Sequence, residues 1–402
     1  MNNRSLITIL SFLIMSCSES DKSSQAENSP ISPPLFNLLT PEQSGITFSN
    51  RIEENLNLNV LMYEYLYNGG GVALGDLNQD GLEDIYFSAN VSGNQLYLNL
   101  GELKFKEITQ ASGATGRSGP WKTGVVFVDI NGDKKLDIYQ CYSGNLPTEK
   151  RTNQLFVNQG NDTNGIPLFK EMAEEYGIAS NAPSTSASFF DFDLDGDLDL
   201  CILNHNTKSI QNQDVNLTKV LLKEKHEAGS QLFENRNGKF IEITQRAGIS
   251  SSSLSYGLGV AVSDINQDGW PDIYIGNDYS MPDYLYINQK DGTFKDEILE
   301  RLGHTSHFSM GNDIADFNND GLPDIFTLDM LPAGNERQKL LLGPDNFELF
   351  ELNVNKVLHH QYMRNMLHLN SGDGTFLEIA QLAGVSNTDW SWASLFADFD
   401  ND

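Results

Sequence analysis

The sequence predicts an all-β fold, a β-propeller of four-stranded blades, and three observations carry that prediction. An acidic nonapeptide recurs along the 402 residues, beginning at Asp76, Asp129, Asp191, Asp264, Asp316 and Asp398. A short β-like segment runs into every copy, and another starts at the end of each of the five complete copies. Two more short strands then follow before the next copy. Four such strands with turn residues between them cannot bury both faces of their sheet alone, but sheets arranged radially cover one another.

The first strands read GVALG before Asp76, GVVFV before Asp129, SASFF before Asp191, GVAVS before Asp264, GNDIA before Asp316 and ASLFA before Asp398. Each starts on a small residue: Gly71, Gly124, Ser186, Gly259, Gly311 or Ala393. A strand crowded against its equivalents around an axis needs that. The second strands are DIYFS, DIYQC, DLCIL, DIYIG and DIFTL, and the third are QLYLN, QLFVN, QLFEN, YLYIN and MLHLN. The fourth strands follow a Gly–Phe cue, as in KFKEIT ending at Thr109 and TFLEIA ending at Ala380. Loop starts are spaced 53, 62, 73, 52 and 82 residues apart, and the two longest intervals hold insertions at 204–230 and 330–363. The first insertion reads as helical around Val220 to Lys225, and the second alternates like short amphipathic helices. Residues 36–46 resemble a fourth strand and its exit, which ring closure would place in the last blade. The chain stops at Asp402, inside the sixth loop. The expectation is therefore a propeller domain over 36–402, about five complete blades and the start of a sixth, truncated before at least one further blade.

Within each nonapeptide the oxygen-bearing side chains fall at positions 1, 3, 5 and 9. These are Asp76, Asn78, Asp80 and Asp84; Asp129, Asn131, Asp133 and Asp137; Asp191, Asp193, Asp195 and Asp199; Asp264, Asn266, Asp268 and Asp272; Asp316, Asn318, Asp320 and Asp324. The incomplete sixth copy offers Asp398, Asp400 and Asp402. Hard oxygen ligands in this number suit Ca²⁺, one ion per loop, better than Mg²⁺, which demands a rigid octahedron and keeps its waters. Gly at position 6 permits the sharp bend in four of the five complete copies. The EF-hand alternative needs Glu at position 12, where this chain has Phe87, Gln140, Ile202, Ile275 and Thr327. The loop from Asp191 carries four carboxylates and should bind most tightly. The loop from Asp129 is the weakest, because Lys134 replaces Gly and Lys135 adds positive charge.

The net charge of −29 argues against nucleic acid as a partner, since phosphates would be repelled. No constellation points to catalysis. The seven histidines (His205, His226, His304, His307, His359, His360 and His368) lack metal-ligand spacing, and no nucleophile elbow is present. Trp121, Tyr256, Phe308 and Trp390 each lie eight residues before a loop. They read as blade-packing aromatics, with a ligand face as the alternative. Cys141 and Cys201 read as buried free thiols, with a disulfide as the alternative.

At the N-terminus, Asn2 to Arg4 precede an apolar run from Leu6 to Met15, too short to span a bilayer. It leads to Ile14-Met15-Ser16-Cys17, which resembles a bacterial lipobox. That resemblance implies residues 1–17 as a lipoprotein signal with Cys17 lipidated, and 18–35 as a disordered tether. The acidic residues after Cys17 resemble a surface-export signal, so an outer-membrane, cell-surface location is expected, with the membrane reached only through the lipid.

The repeats themselves resemble FG-GAP/VCBS units, the blades of integrin α-like propellers. NGGGVALGDLNQDGLEDIYF and SNTDWSWASLFADFD resemble bacterial VCBS-repeat lipoproteins related to the cartilage-acidic-protein family. The resemblance covers Phe36 to the end and implies a calcium-loaded seven-bladed propeller. The resulting expectation is a non-enzymatic, calcium-stabilised surface domain that recognises an extracellular protein or glycan. The alternative is an exported polysaccharide-processing enzyme on the same scaffold.

Overall fold

The computed structural model describes residues 35–207, 215–279, 281–342, 346–356 and 358–400. Cys17, the leader, residues 18–34 of the tether and Asp402 lie outside the described residues. Two units are distinguished by contact, Met1–Leu38 and Leu39–Asp402, and the fold is that of the second.

Five four-stranded antiparallel sheets follow one another along the chain. Blade 1 holds β1 (Val72–Gly75), β2 (Asp84–Phe87), β3 (Gln95–Asn99) and β4 (Phe105–Glu107). Blade 2 holds β5 (Lys122–Val128), β6 (Asp137–Tyr142), β7 (Gln154–Asn161) and β8 (Pro167–Glu171). Blade 3 holds β9 (Ser184–Phe190), β10 (Asp199–Asn204), β11 (Gln231–Asn235) and β12 (Phe240–Glu242). Blade 4 holds β13 (Gly257–Ser263), β14 (Asp272–Asn277), β15 (Tyr284–Asn288) and β16 (Phe294–Asp296). A two-residue strand, β17 (Thr305–Ser306), precedes blade 5, which holds β18 (Asn312–Ala315), β19 (Asp324–Thr327), β21 (Met366–Asn370) and β22 (Phe376–Glu378). Inside the last blade's insertion, β20 (Gln361–Tyr362) pairs in parallel with β17. The sheets are up-and-down meanders, so the predicted β-propeller blades are formed.

The first strands form the inner row. β1, β5, β9, β13 and β18 pack against one another in that order. The small residues at their starts are where the backbones meet. A Cβ on Gly259 would lie 2.8 Å from the Met310 carbonyl oxygen, and one on Gly124 2.7 Å from that of Thr185. The second strands are the most enclosed: every residue of β6, β10 and β14 is buried. Successive side chains of a strand point to opposite faces, so each second strand feeds two cores. Tyr139 and Cys141 join Leu200, Ile202 and Phe233 between blades 2 and 3. Cys201 and Leu203 join Ile273, Ile275 and Tyr286 between blades 3 and 4. Both thiols are therefore buried and free, in different interfaces. The row has an open start, where Val72 and Leu74 of β1 are more than half exposed.

The fourth strands of blades 1, 2, 4 and 5 leave through one-turn helices, and that of blade 3 through a turn. The left-handed glycines Gly113, Gly177 and Gly248 end such turns, and their Cα atoms face the carbonyls of Phe169, Phe240 and Phe294 in the following outer strand. Gly45 faces Phe105 of β4 in the same way. This corrects the reading of residues 36–46. The exit turn exists as helix Pro41–Ser44, closed by a Thr40–Gln43 capping box, but residues 36–40 form no strand. A strand needs a ladder partner, and no third strand pairs with this segment among the described residues. For the same reason ASLFA, before Asp398, is not a strand. It is held by Gly311 N–H to the Trp392 carbonyl (2.9 Å) and by Phe396 N–H to Asp313 Oδ2 (2.7 Å). The insertions carry helices Val215–Leu221, Asn335–Leu341 and Phe347–Asn355, the first slightly earlier than its periodicity suggested.

Candidate functional site

In a four-strand meander the turns joining strands 1–2 and 3–4 share one end of the blade. The 2–3 turns and the crossings to the next blade share the other. All the acidic loops thus lie at one end, and both insertions at the opposite end.

The five complete loops repeat one hydrogen-bond pattern. The position-1 carboxylate accepts from the backbone N–H of positions 5 and 6, as in Asp80 N to Asp76 Oδ1 (3.0 Å) and Gly81 N to Asp76 Oδ2 (2.8 Å). The position-5 carboxylate accepts from position 7, as in Leu322 N to Asp320 Oδ1 (2.9 Å). Two left-handed residues make the curl, at positions 4 and 6. Position 4 is Gln79, Leu194, Gln267 or Asn319 where position 6 is Gly. The loop from Asp129 exchanges them, with Gly132 (φ 71°) at position 4 and Lys134 (φ 68°) at position 6. It keeps the pattern, Lys134 N reaching Asp129 Oδ2 at 2.8 Å, but Lys135 Nζ sits 2.6 Å from Asp133 Oδ2. An ammonium there competes with any bound cation.

Position 9 behaves differently. Asp84, Asp137, Asp199, Asp272 and Asp324 are buried, with both oxygens taken by backbone donors. Asp272 accepts from Ile265 N (3.0 Å) and Asn288 N (2.8 Å), tying the loop start to the third strand. Burial pushes Asp84, Asp137 and Asp272 up to about 6 and Asp199 to about 7, opposed by those N–H donors. The third-strand partners are Asn99, Asn158, Asn235, Asn288 and Asn370, the last letter of each QLYLN-type segment. Their role was legible only as a repeated letter. Beyond donating its N–H, Asn288 sends Nδ2 to the Phe192 carbonyl of the preceding blade's loop (2.8 Å). Asn158 reaches the Leu77 carbonyl (2.9 Å) and Asn370 that of Ile265 (3.2 Å).

The loop from Asp191 has the features of a cation cage. Asp191, Asp193 and Asp195 bring one carboxylate oxygen each within 4.8 Å of one another. Asp193 Oδ1 and Asp197 Oδ1 are buried without a hydrogen-bond donor. Asp197, at position 7, was not among the sequence-predicted ligands. Burial and then the Asp195 charge push it up to about 6. Clustered carboxylates, with enclosed oxygens of Asp193 and Asp197 lacking donors, fit a divalent cation, and their oxygens would hold it. In the loops from Asp76, Asp264 and Asp316, position 3 is instead an Asn whose Nδ2 bonds the position-5 carboxylate. Asp398 and Asp400 lie on an exposed segment.

At the other end, residues 50–68 cross the blades. Tyr63, Tyr65 and Leu66 are buried against Trp121 and Tyr256, with Leu258 and Trp392 packed around them. Tyr63 and Trp121 rings lie 4.7 Å apart. Two tyrosine–carboxylate bonds latch this segment to blade 4, Tyr65 Oη to Asp278 Oδ2 (2.9 Å) and Tyr279 Oη to Glu64 Oε2 (2.7 Å). Of the aromatics flagged by spacing, Trp121 and Tyr256 join this axial cluster, Phe308 lies 6.1 Å from Tyr279, and Trp390 is exposed. Ser143 Oγ and His205 Nε2 are 2.7 Å apart beneath Tyr63, and His205 Nδ1 meets the Asn206 carbonyl, not a carboxylate. Burial lowers His205 to about 4.

A model of the FG-GAP-like repeat matches residues 65–139 and 264–327. These segments are FG-GAP-like repeats, and they contain four of the acidic loops. The chain is 32% identical to human cartilage acidic protein 1 over 146 residues, covering 36% of this chain and 21% of that protein. The Xenopus tropicalis form is 25% identical over 263 residues, 65% of this chain and 36% of that protein. Chicken integrin alpha-6 is 38% identical over 82 residues, 18% of this chain and 8% of that protein. The chain thus shares homology with both while spanning between about a tenth and a third of their lengths.

Proposed function

We propose that this chain is a calcium-stabilised, non-enzymatic recognition domain in which the cation and the ligand use opposite ends of the blades. The observation that carries the proposal is the separation itself. The acidic loops share one end, whereas the insertions, the crossing segment 50–68 and the axial aromatics share the other. Homology to cartilage acidic protein and to an integrin α-subunit supports recognition over turnover. Ca²⁺, held by positions 1, 3 and 5 and best by the loop from Asp191, would neutralise carboxylates that join the first strand of a blade to the second. The ligand is an extracellular protein or glycan. The leader and Cys17 support a lipid-anchored surface location, and a Cys17→Ala variant that still fractionates with membranes would refute it.

The test is binding to glycan arrays and to surface-protein extracts, with turnover of the bound material measured in parallel. Binding lost on chelation, with no product formed, is expected. Hydrolysis or elimination of a polysaccharide would establish the enzymatic alternative instead.

A further inference from the structure

A cavity of about 400 Å³ lies at the inner row of strands, at the end opposite the acidic loops. It touches the first strands of blades 2 to 5, the residues just before the first strand of blade 1, and the segment Trp392–Ser394. Its volume is toward the lower end of the ~300–1,000 Å³ usual for small-molecule sites. Its walls have two properties that need an explanation.

The first is charge. The chain carries −29, yet none of the side chains lining the cavity is ionisable at neutral pH. The walls offer Asn, Ser and Thr side chains, strand backbone, and the rings of Tyr63, Tyr65, Trp121 and Trp392. The two tyrosine hydroxyls are committed elsewhere, to the Ser143–His205 pair and to Asp278, which fixes their rings. The second is incomplete bonding. Asn312 has neither amide atom hydrogen-bonded, and Ser394 Oγ also lacks a partner; these atoms are enclosed, Asn312 Nδ2 against Gly259 and Gly276, so each side chain must turn toward the cavity to meet a ligand. Leaving such groups unsatisfied is costly, so a ligand that supplies partners binds where an apolar one would not. A charged ligand would be desolvated there with no counter-charge.

From these features we infer that the axial cavity binds a neutral pyranose unit. Such a ring has an apolar C–H face suited to the aromatic walls. Its vicinal hydroxyls both donate and accept, as an unpartnered carboxamide requires. This inference rests on the recognition reading and specifies its ligand class and site.

Saturation-transfer NMR of the whole chain in calcium, with methyl glycosides of neutral hexoses and N-acetylhexosamines, tests it, with glucuronate and a hexose phosphate as charged comparators. Neutral glycosides should receive saturation and the charged sugars should not. Asn312→Ala, which removes two hydrogen bonds to the sugar, should weaken binding about tenfold without lowering the melting temperature. Ser394→Ala, a milder change at the same wall, should weaken it less. Absence of transfer to every neutral glycoside, or equal affinity in both variants, would overturn the cavity assignment. If array or extract binding persists unaltered in both variants, the recognition reading stands and the cavity fails. If nothing binds in either assay, both fail.

Discussion

At the residue scale, the nonapeptide divides its acids between two tasks. Positions 1, 3 and 5 face one another at the surface, while position 9 is buried and bonded to backbone donors. Asp195→Ala should therefore lower calcium affinity more than Asp133→Ala, because Lys135 already occupies the Asp133 carboxylate. Terbium luminescence would read this, and equal losses would contradict it. Asn288→Ala strips Nδ2 from two carbonyls and Oδ1 from Lys290 N–H. It should cost about 1–3 kcal/mol in urea unfolding, calcium present or not. A pH effect follows from Asp278, whose carboxyl burial pushes up to about 7, helped by Asp329 and Glu64 and opposed by its Tyr65 and Tyr279 donors. The unfolded value is about 3.9. The folded state thus holds the extra proton between those values, and this contribution to stability is lost as pH rises through that window. Asp278→Asn should gain melting temperature relative to the parent at pH 8 compared with pH 5. An equal difference at both pH values would show that the carboxyl does not titrate there. The acids at 1, 3, 5 and 9 could be located directly, but not their division: position 9 reads as a ligand in the sequence, whereas both of its oxygens are taken by backbone donors. The Asn ending each third strand could not be given a role, because its partners are backbone groups that only the folded chain brings near.

At the element scale, the spacing of apolar runs and turn residues located every strand of the five complete repeats, because each pattern is local. What failed was also local in cause. Residues 36–40 and 393–397 have strand-like sequences but no ladder partner, and propensity alone does not hold a strand in water. The small residues at the first-strand starts were explained correctly by crowding. Gly259→Val should destabilise by about 1–3 kcal/mol, since its side chain would meet the Met310 carbonyl and the Asn312 N–H. Gly93→Ala, with open space at its Cβ and no left-handed backbone, should be nearly neutral. Similar midpoints for the two variants would show that the inner strands are not close-packed. The left-handed residue at position 4 was not anticipated, because Gln and Leu give no sign of it. Asn319 and Gly132 are residue types that favour it, the latter in the loop where Gly has moved from position 6.

At the scale of the whole molecule, the meander separates two sets of features that the sequence interleaves. Acidic loops alternate along the chain with crossings and insertions, and only the parity of the turns sends them to opposite ends. That parity was derivable from a four-strand repeat. The axial cluster was not, since Tyr63 and Tyr65 come from a segment with no repeat pattern, and their partners are over 50 residues away. The central claim is that cations at one end hold together blades whose other end is free for recognition. Melting of the whole chain in calcium and after chelation tests it most directly. One site at a hundredfold excess over its dissociation constant adds about 2.7 kcal/mol. The account predicts a melting temperature several degrees lower after chelation, restored by calcium. An unchanged melt, before and after refolding in chelator, would contradict it.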